Sequence, residues 1–143
     1  MVSPVLIDTI AKKLTDKHLS IATAESCTGG LLGHVLTSIS GSSAYYDRGI
    51  ISYTNQAKQV ARAMAEGVRK LANTTIGVST TGIAGPTGGT KDKPVGLVYI
   101  GVSTEKKTVV NRFVFDGNRL ENKESTCVEA LKLVQQVIDK QGL

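Results

Sequence analysis

Three short segments gather the residues able to do acyl chemistry: Glu25-Ser26-Cys27-Thr28-Gly29-Gly30, Tyr53-Thr54-Asn55-Gln56-Ala57-Lys58 and Gly82-Ile83-Ala84-Gly85-Pro86-Thr87-Gly88-Gly89. A serine is inert as a nucleophile until a base takes its proton, and a neutral lysine amine does this work where no histidine is at hand. In the first segment the glycines let a ligand approach the backbone. A helix starting after them would place its positive end near Ser26, where N–H groups from Thr28, Gly29 and Gly30 could hold an oxyanion. The plainer role of Ser26 or Thr28 is a helix cap. In the second segment, Asn55 as N-cap would put Lys58 in the first helical turn. That is the wrong end for a cation, so dipole and burial both favour a neutral amine there. Tyr53, five residues earlier, would relay the proton or orient the amine. As plain structure, Lys58 is a solvated side chain and Tyr53 packs on a sheet.

Cys27 is a rival nucleophile, since Glu25, Lys58 and Cys27 together supply the residue types of a nitrilase-like amidase. As a buried small hydrophobe it is ordinary. The third segment belongs to a stretch of 14 residues, 81–94, with four glycines and two prolines. Its backbone N–H groups could wrap a phosphate or a heterocycle, although the Walker pattern GxxxxGK[ST] is absent and a plain connection between strands explains it as well. Arg119 offers a bidentate phosphate contact, against the default of a surface arginine. His18 and His34 have no acidic partner at suggestive spacing, and Cys27 and Cys127 lie 100 positions apart. Neither set has the spacing of a metal site or a disulfide framework, and the chemistry read here needs no metal and no cofactor.

The elements that must position these residues follow from apolar periodicity. The 143 residues suit a single domain, 1–143. Val5, Leu6, Ile10 and Leu14 predict an amphipathic helix over 3–17 after Ser3 and Pro4. A buried strand over 19–24 leads into the first chemical segment, and Leu31, Leu32, Val35, Leu36 and Ile39 form a second helical stripe. A strand over 49–53 runs into a third helix, capped by Thr54 or Asn55 and closed at Asn73. The run 76–81 predicts a strand, and 95–103 with 107–115 an antiparallel hairpin about TEKK. Gly117 and Asn118 introduce a last helix ending at Gly142. Helices between the early strands imply parallel crossovers and the late hairpin an antiparallel member. The expected architecture is therefore an α/β fold with a mixed, mostly parallel sheet covered by helices on both faces.

Hydrophobic residues make up 41% of the chain and charged residues 20%, which excludes disorder and collagen-like repeats. With two Phe, four Tyr and no Trp, stacking platforms for single-stranded nucleic acid are poorly supplied. A net charge of +5 could attract nucleic acid, an anionic membrane or a small phosphorylated ligand, and the sign alone does not choose among them; because the positive residues are scattered rather than run together, specific nucleic-acid binding is not expected. No stretch reads as a membrane span or signal segment, and unpaired cysteines suit the cytoplasm.

Five ordered blocks, AESCTGG at 24–30, GSSAYYDRGIISYTNQAK at 41–58, TGIAGPTGG at 81–89, KPVGLVYIGV at 93–102 and FDGNR at 115–119, resemble the CinA C-terminal domain family, the stand-alone nicotinamide-nucleotide amidases. The resemblance implies hydrolysis of nicotinamide mononucleotide to nicotinic acid mononucleotide and ammonia, a salvage step of pyridine nucleotides. It implies Ser26, Tyr53 and Lys58 as catalytic residues. It further implies a three-layer α/β/α sandwich with a five-stranded mixed sheet, and homo-oligomers. Relatives have a longer connection between the lysine and the helix holding AMAEGVRKLA; shortening it removes part of what would enclose a substrate. Larger relatives add an N-terminal domain with pyrophosphatase chemistry that is not carried over here. The competing class is a non-catalytic nucleotide-binding module linked to competence or DNA damage.

Overall fold

A computed structural model describes residues 2–52 and 58–143, with Lys58 given by its backbone alone. Its elements are α1 (Pro4–Asp16), β1 (Ile21–Glu25), α2 (Leu31–Leu36), a 3-10 turn (Ser42–Ala44), β2 (Tyr46–Ile51), α3 (Lys58–Ala72), β3 (Ile76–Gly82), β4 (Leu97–Ser103), β5 (Thr108–Val114) and α4 (Arg119–Gln141). This is the order of helices and strands expected from periodicity. Tyr53 and the expected caps Thr54 and Asn55 lie outside the described residues. β2 begins three residues before position 49, because Tyr46 anchors it: its hydroxyl pairs with Thr23 Oγ1 of β1 at 2.8 Å. Gly33 and Gly49 leave the space this ring needs, since a Cβ on either would collide with the Tyr46 hydroxyl. The polar run Asp47-Arg48 hid this start, yet β2 is an edge strand whose residues after Tyr46 are all exposed.

The five strands form one sheet in the order β2-β1-β3-β4-β5. β1 is parallel to β2 and β3, whereas β4 is antiparallel to β3 and β5. The chain passes from β1 to β2 through α2, then returns across β1 to β3 through α3. Right-handed crossovers taken in opposite directions along a sheet must lie on opposite faces. Accordingly α1, α2 and α4 pack together over one face and α3 over the other, giving the three-layer α/β/α sandwich.

The three-helix face carries the large aliphatic core. Ile21, Ile76, Val78, Val98, Ile100 and Val102 meet Ile10 and Leu14 of α1 and Leu131, Val134 and Ile138 of α4. Each such side chain contributes roughly 1.5–3 kcal/mol by leaving water. The α3 face is built from small residues, with Ala22 and Ala24 against Val68. Ala61 and Ala65 are fully buried there. A Cβ at Gly77 would strike the Ala65 carbonyl oxygen, and one at Gly101 would stand 2.7 Å from Ser79 Oγ, so these glycines let α3 lie close on the sheet. Ser79 Oγ donates to the Ala61 carbonyl at 2.6 Å and Arg69 Nε donates to Ser103 Oγ at 3.0 Å. These points lay α3 antiparallel to β3, with Arg69 beside Gly77 and Ala61 beside Ser79.

α4 is the longest helix and both ends are sealed. Asn118 accepts from Glu121 N–H while Glu121 accepts from Asn118 N–H, a reciprocal capping box, and Gly142 takes the left-handed conformation at φ 65°. Among the described residues, no helix is long and apolar enough to cross a membrane.

Candidate active site

The carboxyl ends of β2, β1 and β3 stand side by side, so the chain leaves all three strands at the same end of the sheet. Beyond β1 the chain turns to α2 on one face; beyond β2 it continues to α3 on the other. Connections that diverge in this way open a crevice between the strand ends, the usual ligand position of such sheets. Ser26 sits on one side of it. Its N–H donates to Thr80 O at 2.8 Å, while Ser52 N–H donates to Glu25 O at 2.8 Å, so pairing on both sides of β1 runs up to Ser26. Glu25 reaches the start of α2 and Cys27 joins the three-helix core, so alternation sends Ser26, between them, to the α3 face.

Lys58 opens α3 on that same face. From Ala61, beside Ser79, three residues of helix rise about 4.5 Å, against about 6.6 Å for two residues of strand. The start of α3 is thereby carried toward the level of Thr81 and Ser26. Tyr53 and the Lys58 side chain lie outside the described residues.

The turn after β1 is held by Glu25, which is 2% exposed. Its Oε1 accepts from Thr28 Oγ1 at 2.6 Å, Leu32 N–H at 2.8 Å and Gly30 N–H at 3.2 Å, and its Oε2 from Gly33 N–H at 2.9 Å. A carboxylate here satisfies the orphan donors of α2 and sits against the positive end of its dipole. Thr28 spends its single hydroxyl proton on Glu25, so Thr80 must donate across their 2.6 Å contact. This geometry bears on two readings of the sequence. Glu25 points away from the α3 face and is engaged by the turn before α2, whereas the nitrilase-like set would need it beside Lys58, whose side chain lies outside the described residues. Gly29 N–H closes onto Ser26 O at 3.0 Å and Gly30 N–H is bound by Glu25, so those two expected oxyanion donors are spent inside the turn.

Cys27 is 2% exposed, and burial pushes its thiol up to about 12. The Cys27 and Thr28 N–H groups bear on its sulfur and offset only part of that rise. A thiol so placed stays protonated near neutrality and is a poor nucleophile. Burial raises Cys127 as well. His34 is exposed on α2, and His18 lies in the left-handed turn after α1, at the opposite end of β1 from Ser26.

In the glycine-rich segment, Ile83 N–H donates to Leu97 O at 2.9 Å and Gly96 N–H to Ile83 O at 2.7 Å, which prolongs the pairing of β3 with β4. Gly82 is required because a Cβ there would collide with the Leu97 carbonyl. The Ala84 carbonyl accepts from Asn122 Nδ2 at 2.9 Å and the Gly85 carbonyl from Arg119 Nη1 at 2.7 Å. Arg119 therefore ties this loop to the start of α4, and the structure brings it, Ala84 and Gly85 together at the end of β3, one strand from Ser26. Ile83 and Ala84 are buried, so their side chains support the loop from within.

Thr81 escaped the sequence reading. It is fully buried, and its Oγ1 has no hydrogen-bond partner among the described residues, a condition costing roughly 1–3 kcal/mol. Glu25 pairs with Thr80, so one step further along the register puts Thr81 beside Ser26. Thr81 shares the α3 face with Ser79, and its antiparallel partner there is Tyr99. The signal was the run Ser79-Thr80-Thr81; alternation separates Thr80 from the other two, but nothing in it says which face meets the crevice.

The profile of the CinA C-terminal domain matches residues 5–61 and 57–138. The two matched segments overlap at 57–61, where the connection after Lys58 is short. A putative competence-damage inducible protein of Thermoanaerobacter pseudethanolicus is 41% identical over 150 residues, covering 92% of this chain and 36% of that protein. Its counterpart from Acetivibrio thermocellus is 43% identical over 149 residues, with 91% and 36% covered. The chain thus spans about a third of the length of these curated relatives. Among solved structures, the competence/damage inducible protein CihA of Agrobacterium tumefaciens superposes with a TM-score of 0.91 at 32% identity, covering 96% of this chain and 98% of that one. A CinA superfamily protein of Enterobacter cloacae gives a TM-score of 0.86 at 26% identity, with 92% and 90% covered. Since the profile accounts for nearly the whole sequence and the three-layer sandwich is shared over nearly all of its length, the chain belongs to the CinA C-terminal domain family.

Proposed function

We propose that this domain is an amidohydrolase that converts nicotinamide mononucleotide to nicotinic acid mononucleotide and ammonia, with Ser26, Lys58 and Tyr53 as its catalytic residues. What supports the reading is that Ser26 directly follows β1 and that α3, which Lys58 opens, packs on the face of the sheet to which alternation turns Ser26. A buried thiol at Cys27, protonated near neutrality, supports serine over cysteine as nucleophile. Ser26 is 1% exposed, so the crevice widens before an amide carbon reaches Oγ.

In this scheme the neutral Lys58 amine, helped by Tyr53, accepts the Ser26 proton as Oγ bonds to the carboxamide carbon. The carbonyl electron pair moves to oxygen, then returns as the C–N bond breaks, and the nitrogen takes the proton back to leave as ammonia. Water repeats the sequence on the acyl-serine, releases the carboxylic acid and restores the hydroxyl. The loop of Gly82, Ile83, Ala84 and Gly85, with Arg119, holds the ring or the phosphate.

The test is ammonia release from nicotinamide mononucleotide by the purified domain. Ser26→Ala abolishes turnover and still binds the nucleotide, whereas Cys27→Ala remains active. Wild-type protein that binds nucleotide or duplex DNA at physiological salt without releasing ammonia would replace the amidase by a binding module.

A further inference from the structure

The hydroxyl of Thr81 is buried and unpartnered among the described residues, while Ser79 and Thr80 before it on β3 are both engaged. Ser79 bonds the Ala61 carbonyl, and Thr80 is joined through Thr28 to Glu25. The missing bond therefore does not reflect loose packing. Buried hydroxyls are nearly always bonded, and an exception next to a nucleophile calls for a specific explanation. Ser26 follows the last residue of β1, and its N–H bond to Thr80 O carries the register one step on to Thr81 of β3, about 4.8 Å away across the strand spacing; alternation turns both side chains toward the α3 face. When Ser26 Oγ bonds to a carboxamide carbon, the former carbonyl oxygen is held one bond from that carbon, within reach of the neighbouring strand. Backbone donors are scarce at this point. Ser26 N–H serves Thr80, Gly29 N–H serves Ser26 O and Gly30 N–H serves Glu25.

We propose that the Thr81 hydroxyl donates a hydrogen bond to the oxyanion formed when Ser26 attacks, which makes it a further catalytic residue. The inference rests on Ser26 being the nucleophile of an amidase. Thr81 keeps its proton throughout; proton transfer stays among Ser26, Lys58 and the departing ammonia.

The experiment compares wild type, Thr81→Val and Thr81→Ser in ammonia release from nicotinamide mononucleotide and in thermal unfolding. It adds the rate at which diisopropyl fluorophosphate labels Ser26, read by mass spectrometry; there Oγ bonds to phosphorus, fluoride leaves, and the phosphoryl oxygen needs the same donor. Thr81→Val is expected to fold with unchanged or higher Tm, since it gives up no internal bond, and to lose 10²- to 10³-fold in kcat with little change in KM, the scale of deleting one oxyanion donor. Labelling slows in parallel, and Thr81→Ser stays within a few-fold of wild type in both. A Thr81→Val protein within threefold of wild type in turnover and labelling overturns the proposal while the amidase reading stands. So does a loss shared equally by the serine variant, or one accompanied by a marked fall in Tm. If wild type releases no ammonia yet is labelled, and Thr81→Val slows the labelling, the substrate assignment falls and Thr81 keeps its role. Wild type that does neither removes both.

Discussion

Replacing Glu25 by Gln tests how the nucleophile turn is held. The side chains are almost the same size, so packing is preserved and the change is electrostatic. Glutamine can place its oxygen where Oε1 now accepts from Thr28, Leu32 and Gly30, but its amide nitrogen then confronts Gly33 N–H, which Oε2 binds at 2.9 Å. One charge-assisted hydrogen bond is lost, worth about 1.5–3 kcal/mol. The negative charge at the start of α2 goes too, worth roughly 0.3–1 kcal/mol or more where partly buried. The sum is about 2–4 kcal/mol, and at about 3 °C per kcal/mol for a domain of this size the Tm falls by about 6–12 °C. Thermal unfolding at pH 7 followed by circular dichroism reads this directly, with Glu25→Ala as a harsher control that removes all four acceptor contacts. A Glu25→Gln protein melting within about 2 °C of wild type would refute the claim that this carboxylate clamps the turn.

Stability should decline as the pH rises above about 9. The Cys27 thiol has an ordinary value of 9.0 and is raised to about 12 in the fold, so between those values the unfolded chain sheds a proton that the folded chain keeps. The associated stability is complete below pH 9 and is lost progressively up to pH 12, at up to about 1.4 kcal/mol per pH unit. Urea midpoints at pH 8, 9.5 and 10.5 should fall less steeply for Cys27→Ala than for wild type, and an equal slope would count against the assignment. Gly77→Ala drives a Cβ into the Ala65 carbonyl and should cost about 1–3 kcal/mol in urea unfolding, by displacing α3 from the sheet. Asn118→Ala removes the capping box of α4, with an expected loss of about 1 kcal/mol and a Tm lower by about 3 °C.

Much of the architecture is legible in the chain itself. Apolar residues at helical spacing mark α1 and α4, Ser3-Pro4 and Asn118 mark their starts, and Gly142 marks the end of α4, because these signals act over a few neighbouring residues. The order of elements, with helices between the early strands and a hairpin after them, is enough to imply a mixed sheet in three layers. Ser26 is likewise visible as a serine in a glycine-rich turn between strand and helix. The start of β2 is not, because its anchor is a tyrosine hydroxyl reaching a threonine 23 positions away in the chain.

What each polar side chain near Ser26 does was settled only when the strands came together. Glu25, Cys27 and Thr28 lie next to the nucleophile in sequence, yet Glu25 at the end of β1 and Cys27 in the turn after it both go to the three-helix face, and Thr28 is spent on Glu25. Thr81 is 55 residues from Ser26 and becomes its neighbour through the pairing of β1 with β3. Local sequence records which groups are present and their periodicity. Which face a periodic pattern presents, and which donors are already spent, depends on hydrogen bonds between segments far apart in the chain, and these exist only in the folded molecule.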